Sequence, residues 1–180
     1  PSSQEGIYAL SGSRHKTIIY ETDHYILALH GHPAFMGSME SDRLARDITE
    51  SYAKDGIEVL QRLHGTFSLV LIDIPKKSVL LAIDRLGIEP LAYSHINNTI
   101  VFASRADTVA AHPLASNNID MQAIFNYLYF HCVPSPRCIY SDTHKLLPGQ
   151  YVFFQNNSVH QDFYWQLDYQ EPADANADDL

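Results

Sequence analysis

Histidine and cysteine side chains are the residues of this chain that could bind a metal ion or act as nucleophiles. Ten histidines are scattered along the sequence, and His30 and His32 are the only two that stand two residues apart. Side chains two residues apart on a strand share a face, so their imidazoles could bridge a metal ion. No acidic or thiol ligand stands beside them in the sequence. We therefore interpret both histidines as structural and expect no metal site.

The two cysteines, Cys132 and Cys138, are separated by five residues. A disulfide framework needs more cysteines in a small secreted chain, and this spacing matches no common zinc arrangement. We interpret both as buried or semi-buried thiols in a reducing compartment.

Composition indicates a folded domain rather than a nucleic-acid or membrane protein. The 180 residues are 46% hydrophobic and 18% charged, with a formal net charge of −9. An acidic chain lacks the electrostatic footprint of a nucleic-acid binder. No apolar stretch approaches the length of a bilayer span, and the first residues show no signal-peptide pattern. We expect a cytoplasmic protein that contacts neither nucleic acid nor membrane.

Apolar, β-branched and aromatic runs separated by turn residues predict a largely antiparallel β protein. Asn97-Asn98 and Asn156-Asn157 tolerate the positive φ angles of tight hairpins. The predicted strands are Gly6–Leu10, Lys16–Glu21, His24–His30, Phe67–Ile74, Ser78–Ile83, Thr99–Ser104, Gln150–Gln155 and the run that begins at Ser158.

Helical periodicity appears in two places. Leu44, Ile48 and Tyr52 recur every four residues among charged ones, which predicts an amphipathic helix capped at Ser41, with a second short helix after Gly56. Asp120 can cap a further helix, whose apolar side carries Met121, Ile124, Phe125 and Leu128. Helices that flank covered antiparallel strands indicate layered packing. We predict one domain over residues 1–168 and a linker or disordered tail over 169–180.

Short motifs join these elements in a fixed order. Leu63-x-Gly65-x-Phe67-Ser68 opens a strand that ends at Asp73, and a second strand leads into Asp84-Arg85-x-Gly87-x-x-Pro90-Leu91-x-Tyr93. Farther along come FASRADTVAAHP, the stretch that ends in KLLPGQ, and Tyr164-Trp165.

This order of motifs, from Asp42 to Trp165, resembles the N-terminal glutaminase domain of asparagine synthetases, the class II glutamine amidotransferases of the N-terminal-nucleophile hydrolase fold. The resemblance implies an α+β fold, namely a somewhat trimmed four-layer αββα sandwich of antiparallel sheets. Within the motif we interpret Arg85 as one half of a structural ion pair with Asp84.

The resemblance also implies a catalytic apparatus that this sequence lacks. Active family members use an N-terminal cysteine thiolate as nucleophile and its free α-amine as base. The matching strand here reads EGIYA, so Glu5 stands at the nucleophile position, where it is not terminal. A carboxylate is a poor nucleophile toward an amide. The family segment that grips the substrate carboxylate is missing between Leu10 and Tyr25, where Arg14 is the one basic candidate with a planar fork.

Two further family elements are altered. In the family, an Asn-Gly pair helps to stabilise the oxyanion, and His30-Gly31 occupies that position. A family Gly-Ser-Asp binds the substrate amine, and Ser41-Asp42 is its nearest match, although counting back from Gly56 does not bring Asp42 into register. Glu5, His30 and Gly31 are therefore predicted as vestigial positions, with no catalytic residue in this chain.

We accordingly predict a degenerate glutaminase domain with a structural role in an asparagine-synthetase-type, amide-forming protein. By resemblance, its partner is a C-terminal synthetase domain that uses ATP and Mg²⁺, whose S-G-G-x-D-S motif is not in this sequence. We expect no cofactor in this chain itself and regard a homodimer as possible. β-Lactam synthetases and lasso-peptide cyclases have similar domains without the cysteine.

Two alternatives remain open. The chain could be a stand-alone ligand-binding or assembly module, with His30, His32 and Glu5 lining the vacated pocket. It could also be a working glutaminase with a relocated nucleophile, which requires a base within hydrogen-bond reach of that nucleophile.

Overall fold

A computed structural model describes residues 17–35 and 41–168. The predicted strand Gly6–Leu10 and the 169–180 tail lie outside the described residues, as does the start of the chain. The helices are α1 (Ser41–Asp55), a 3₁₀ helix (Gly56–Arg62), α2 (Ala106–Ala110) and α3 (Met121–Phe130). The strands are β1 (Thr17–Glu21), β2 (Tyr25–Phe35), β3 (Leu63–Asp73), β4 (Ser78–Ile83), β5 (Ala92–Ile96), β6 (Thr99–Ala103), β7 (His144–Lys145), β8 (Gln150–Gln155) and β9 (Ser158–Phe163).

The larger sheet is six-stranded and antiparallel, in the order β1-β2-β3-β4-β8-β9. Its central strands β3 and β4 are the near-continuous apolar runs of the sequence. Every residue of β4 is buried, as is β3 from Phe67 onward. Such runs are typical of strands covered on both faces.

One face of this sheet is covered by helical segments. α1 contributes Leu44, Ile48 and Tyr52, and the 3₁₀ helix contributes Val59 and Leu60, all buried against side chains of β2, β3 and β4. The apolar residues that recur every four positions therefore face the sheet, and the prediction of an amphipathic helix is confirmed.

The other face packs on a second antiparallel sheet, of order β6-β5-β7. Val70, Ile72 and Leu81 from the large sheet meet Tyr93 of β5, with Phe102 of β6 packed against the same cluster. α2 contacts β5 and β6, and its buried residues are not part of that inter-sheet cluster. The order of layers is thus helix, sheet, sheet, helix, which confirms the predicted α+β sandwich.

Turn chemistry also follows the sequence. Asn156 and Asn157 have φ angles of 50° and 58° in the β8–β9 hairpin, and Asn97 has 52° between β5 and β6. Positive φ is a conformation that asparagine tolerates better than most residues. Two strands are longer than predicted. β2 runs five residues past His30, and β3 begins four residues before Phe67.

α3 begins as predicted but packs differently. The Asp120 carboxylate accepts from the Gln122 backbone N–H at 2.9 Å, which is a side-chain N-cap. Arg137 donates to the same carboxylate at 2.7 Å. Ala123 is the only buried residue in α3, and the apolar residues predicted for one side of the helix do not enter the core.

The cysteine prediction is half right. Cys138 is 5% exposed, whereas Cys132, just after α3, is exposed. Because α3 itself is largely uncovered, the turn that follows it is uncovered as well. Among the described helices, none is long and apolar enough to cross a membrane.

Candidate functional site

The predicted site residues are described to different extents. Glu5 lies outside the described residues, and so does Arg14. Asp42 lies in the first turn of α1, and its side chain is outside the described part. His30 and Gly31 lie on β2, where His30 faces Ser68 and Gly31 faces Phe67 of β3 across the ladder.

His30 is held by two other polar side chains. Its Nδ1 lies 2.9 Å from the hydroxyl of Thr17, its cross-strand partner on β1. Its Nε2 lies 3.5 Å from the Glu89 carboxylate, within ion-pair range. A neutral imidazole satisfies both contacts when Nε2 carries the proton and Nδ1 accepts from the threonine hydroxyl. Both His30 ring nitrogens therefore have protein partners, at the position predicted to match the family's oxyanion asparagine.

Gly31 is constrained both by its backbone and by its surroundings. Its φ is +104°, and an added Cβ would lie 2.5 Å from the Thr66 carbonyl oxygen and 2.8 Å from Glu89 Cγ. Any side chain would therefore clash with the β3 backbone. Packing against β3 thus requires a glycine at position 31, whether or not the position has a part in catalysis.

Asp84 positions Glu89. The Asp84 carboxylate is 2% exposed and accepts from four backbone N–H groups, with Oδ1 bonded to Leu86 and Ile88 and Oδ2 bonded to Glu89 and Phe67. The four donor–acceptor distances lie between 3.0 and 3.3 Å. One buried carboxylate thus fixes the conformation of the 84–89 loop, and with it the point from which Glu89 reaches His30.

Arg85 does not use its charge as predicted. Its guanidinium donates to the Gln61 carbonyl at 3.1 Å and lies 5.7 Å from the ring centroid of Trp165, a cation–π distance. The neighbouring Asp84 instead uses its oxygens on backbone N–H groups, which are the closest donors to the strand end. The expected Arg85–Asp84 ion pair is therefore wrong, and Arg85 links the 3₁₀ helix to the end of the matched region.

Tyr164 completes the surroundings of this loop. Its hydroxyl donates to the Ile83 carbonyl at 2.8 Å. Burial raises the pKa of Tyr164 well above its ordinary value, and the Asp84 carboxylate raises it further. Tyr164 is therefore a neutral hydrogen-bond donor at physiological pH.

The polar set Thr17, His30 and Glu89 has the order hydroxyl, imidazole, carboxylate, which is the order of a nucleophile, a base and an orienting acid. Sequence reasoning missed Thr17 and Glu89. The signal for Glu89 is a carboxylate between Gly87 and Pro90 of the motif, and Thr17 becomes visible only once the β1–β2 register is known. We call this set the His30 triad.

The other histidine of the pair takes no part in the triad. His32 is exposed and lies opposite Thr66 in the β2–β3 ladder. Among residues 17–35 and 41–168, no group of three or more His, Cys, Asp or Glu side chains is arranged to hold a metal ion.

Fold and site together define an antiparallel αββα domain that carries the His30 triad on β1, β2 and the 84–89 loop. Residues 35–165 match the family model of the glutamine amidotransferase domain. The chain belongs to this family, and the class II amidotransferase resemblance is confirmed.

The sequence relatives include asparagine synthetases of greater length. A Methanocaldococcus jannaschii protein named as a glutamine-hydrolysing asparagine synthetase is 27% identical over 67% of this chain and 24% of its own length. Glutamine-hydrolysing asparagine synthetase 2 of Bacillus subtilis is 33% identical over 53% of this chain and 12% of its own length. The chain therefore spans a quarter or less of these relatives.

A solved structure also aligns. It is that of an allosteric regulatory enzyme of purine biosynthesis, with a TM-score of 0.49 and 15% identity, over 83% of this chain and 31% of the other.

Proposed function

We propose that this chain is a degenerate glutaminase domain, the N-terminal part of an asparagine-synthetase-type protein that forms amide bonds with ATP, and that it does not itself hydrolyse glutamine. The observation that carries the proposal is the His30 triad. The position matched to the family's oxyanion asparagine has no side-chain amide, because His30 stands there. Both ring nitrogens of His30 are engaged, one by Thr17 and the other by Glu89.

An oxyanion hole works because its donors are free to meet a developing negative charge. In the triad, His30 Nε2 lies 3.5 Å from the Glu89 carboxylate, whose side chain is 16% exposed. A substrate oxyanion placed there would meet the Glu89 charge. Like charges at such a distance disfavour each other. The local electrostatics thus oppose the step that the family's site promotes.

The sequence supports the same conclusion independently. Glu5 stands where the family has its thiol nucleophile, and neither Cys132 nor Cys138 lies near that strand in the sequence. Cys138 is buried with its Sγ 3.1 Å from the Thr143 carbonyl, and burial raises the pKa of its thiol. A buried neutral thiol is a weak nucleophile.

In this proposal the parent protein takes its nitrogen from the amine substrate itself, and the domain contributes structure. The proposed partner is a synthetase domain that binds ATP and Mg²⁺ on its own residues. The length of the relatives supports a further domain, because each is at least four times longer than the segment this chain matches.

A relocated nucleophile is the second candidate, since the structure brings a hydroxyl and a base into contact. Thr17 would be the nucleophile, His30 its base and Glu89 the orienting carboxylate. Both side chains of the Thr17–His30 contact belong to one cross-strand pair, and such pairs also form simply to stabilise a sheet.

One labelling experiment separates the two candidates. The purified protein is incubated with the glutamine-site alkylator 6-diazo-5-oxo-norleucine and analysed by intact mass and peptide mapping, with Thr17→Val as the matched variant. The degenerate domain predicts no added mass in either protein. A label on Thr17 that is lost in Thr17→Val would establish the relocated nucleophile, and a label elsewhere would identify another one.

A further inference from the structure

Helix α3 presents an apolar face that its own domain leaves uncovered. Positions 121, 125, 128 and 129 share one side of the helix, and positions 127 and 130 lie toward the opposite side, at its C-terminal end. The exposed side chains at these positions are Met121 (73% exposed), Phe125 (61%), Tyr127 (56%), Leu128 (71%), Tyr129 (71%) and Phe130 (56%). We call this set the α3 face.

This exposure is exceptional for a helix in a folded domain. α1 of the same chain places its apolar residues in the core and its charged residues outward, whereas α3 contains no charged residue at all. Large contiguous apolar patches on a protein surface mark interaction sites, and depletion of charge is typical of the core of an interface.

The size of the face suits a domain interface. The four side chains on one side, exposed by 61–73% and each with about 150–250 Å² of surface, present on the order of 400–700 Å². Interfaces between domains of one chain bury roughly 600–1,500 Å². The α3 face alone could therefore supply one side of such an interface.

We propose that the α3 face is the surface on which the synthetase-type domain of the parent polypeptide docks. This inference rests on the proposed function. Two observations select this occupant over a second copy of the chain. The curated relatives contain three quarters or more of their length outside the segment matched here. Each copy carries a formal net charge of −9, which opposes self-association.

The chain provides its own reporter for this docking. Cys132 is an exposed thiol two residues after Phe130, and Cys138 is a buried thiol that serves as an internal reference. A domain seated on the α3 face would cover the end of the helix and slow alkylation of Cys132. Alkylation of a covered thiol has to wait for transient opening of the interface.

The experiment compares alkylation of Cys132 by iodoacetamide in two proteins, the 180-residue chain and the polypeptide encoded by its whole reading frame. Peptide mapping assigns the label, and sedimentation velocity gives the oligomeric state. We expect Cys132 to react at least about tenfold more slowly in the longer polypeptide, as for a site that is open less than a tenth of the time. Phe125→Asp and Leu128→Asp in the longer polypeptide should restore the fast rate. Ile19→Asp, which changes a 49% exposed apolar residue on β1, should not.

The outcomes keep this inference separate from the proposed function. Equal Cys132 rates in the presence of a synthetase domain would overturn the docking while leaving the proposed function intact. Slow alkylation of Cys132 in the 180-residue chain, together with dimer formation, would also overturn the docking. It would show that a second copy of the chain covers the α3 face. A reading frame without a synthetase domain would overturn the proposed function, and the docking with it.

Discussion

The buried carboxylate of Asp84 is the structural group whose removal should have the largest effect on this domain. In Asp84→Asn, one of the two carboxylate oxygens becomes an NH₂ group. Each oxygen now accepts from two backbone N–H groups, so either orientation of the amide breaks two hydrogen bonds and points its own hydrogens at two donors. The side chain is 2% exposed, so water cannot relieve this.

The expected loss follows from these contacts. A hydrogen bond to a charged group contributes about 1.5–3 kcal/mol, so two such bonds predict a decrease of at least about 3 kcal/mol in the free energy of unfolding. For a domain of this size, that corresponds to a melting temperature lowered by about 6–12 °C. Because native domains are stable by only about 5–15 kcal/mol, the change should be readily measured.

The assay is urea denaturation, followed both by far-UV circular dichroism and by the fluorescence of Trp165, the single tryptophan. The matched control is Asp107→Asn, which changes an exposed carboxylate paired with Arg105 and should leave the urea midpoint unchanged. A decrease below about 1 kcal/mol for Asp84→Asn would refute the reasoning, because a hydrogen bond contributes that much on its own.

Three further predictions concern Gly31, Tyr164 and the cysteines. Gly31→Ala should lower the free energy of unfolding by at least about 2 kcal/mol, because of positive-φ strain and the clash with Thr66. The control is Gly56→Ala, whose added Cβ meets no atom within 4 Å. Equal urea midpoints for the two variants would contradict the packing argument. Because the pKa of Tyr164 is raised in the folded state, its contribution to stability is fully present below about pH 10, the unfolded value, and is lost as the pH rises toward the folded pKa. Tyr164→Phe should therefore flatten the alkaline loss of stability, measured by urea midpoints at two pH values, and an unchanged slope would count against it. In the native 180-residue chain, Cys132 should be alkylated well before Cys138, whose pKa is raised by burial. Mass spectrometry of the alkylated protein, with and without urea, measures the two rates. Equal rates in the native protein would disprove this prediction.

Much of the fold could be predicted because local sequence and burial agree. The fully buried β4 was placed at its observed bounds, and the asparagine pairs marked their hairpins. The four-residue spacing of Leu44 and Ile48 identified both a helix and the face that it buries. In each case one local signal fixes the structure without knowledge of distant contacts.

Other features depend on contacts between distant parts of the chain. α3 has the apolar periodicity of a buried helix, and the sequence cannot tell whether its own domain or another one covers that face. Likewise, Asp84 next to Arg85 suggests an ion pair until the strand end places four backbone donors around the carboxylate. Short-range patterns identify an element, whereas its partners depend on the assembled fold.

The candidate site was predicted in the same partial way. The motif order singled out His30 and Gly31, which lie on β2, and their assignment as a vestigial oxyanion position stays a prediction. Thr17 and Glu89 are 13 and 59 residues away from His30 in sequence, and only strand pairing and the Asp84 loop bring them to its ring. His30 could therefore be singled out from the sequence, whereas the partners that engage its imidazole could not.

The central claim is that this domain keeps the amidotransferase fold without hydrolysing glutamine. The most direct measurement is glutamate release from glutamine by the purified protein against a no-enzyme blank, with an active glutamine amidotransferase as positive control. The account predicts release equal to the blank. Release above the blank that Thr17→Val or His30→Ala abolishes would contradict the account and show that the His30 triad performs the hydrolysis.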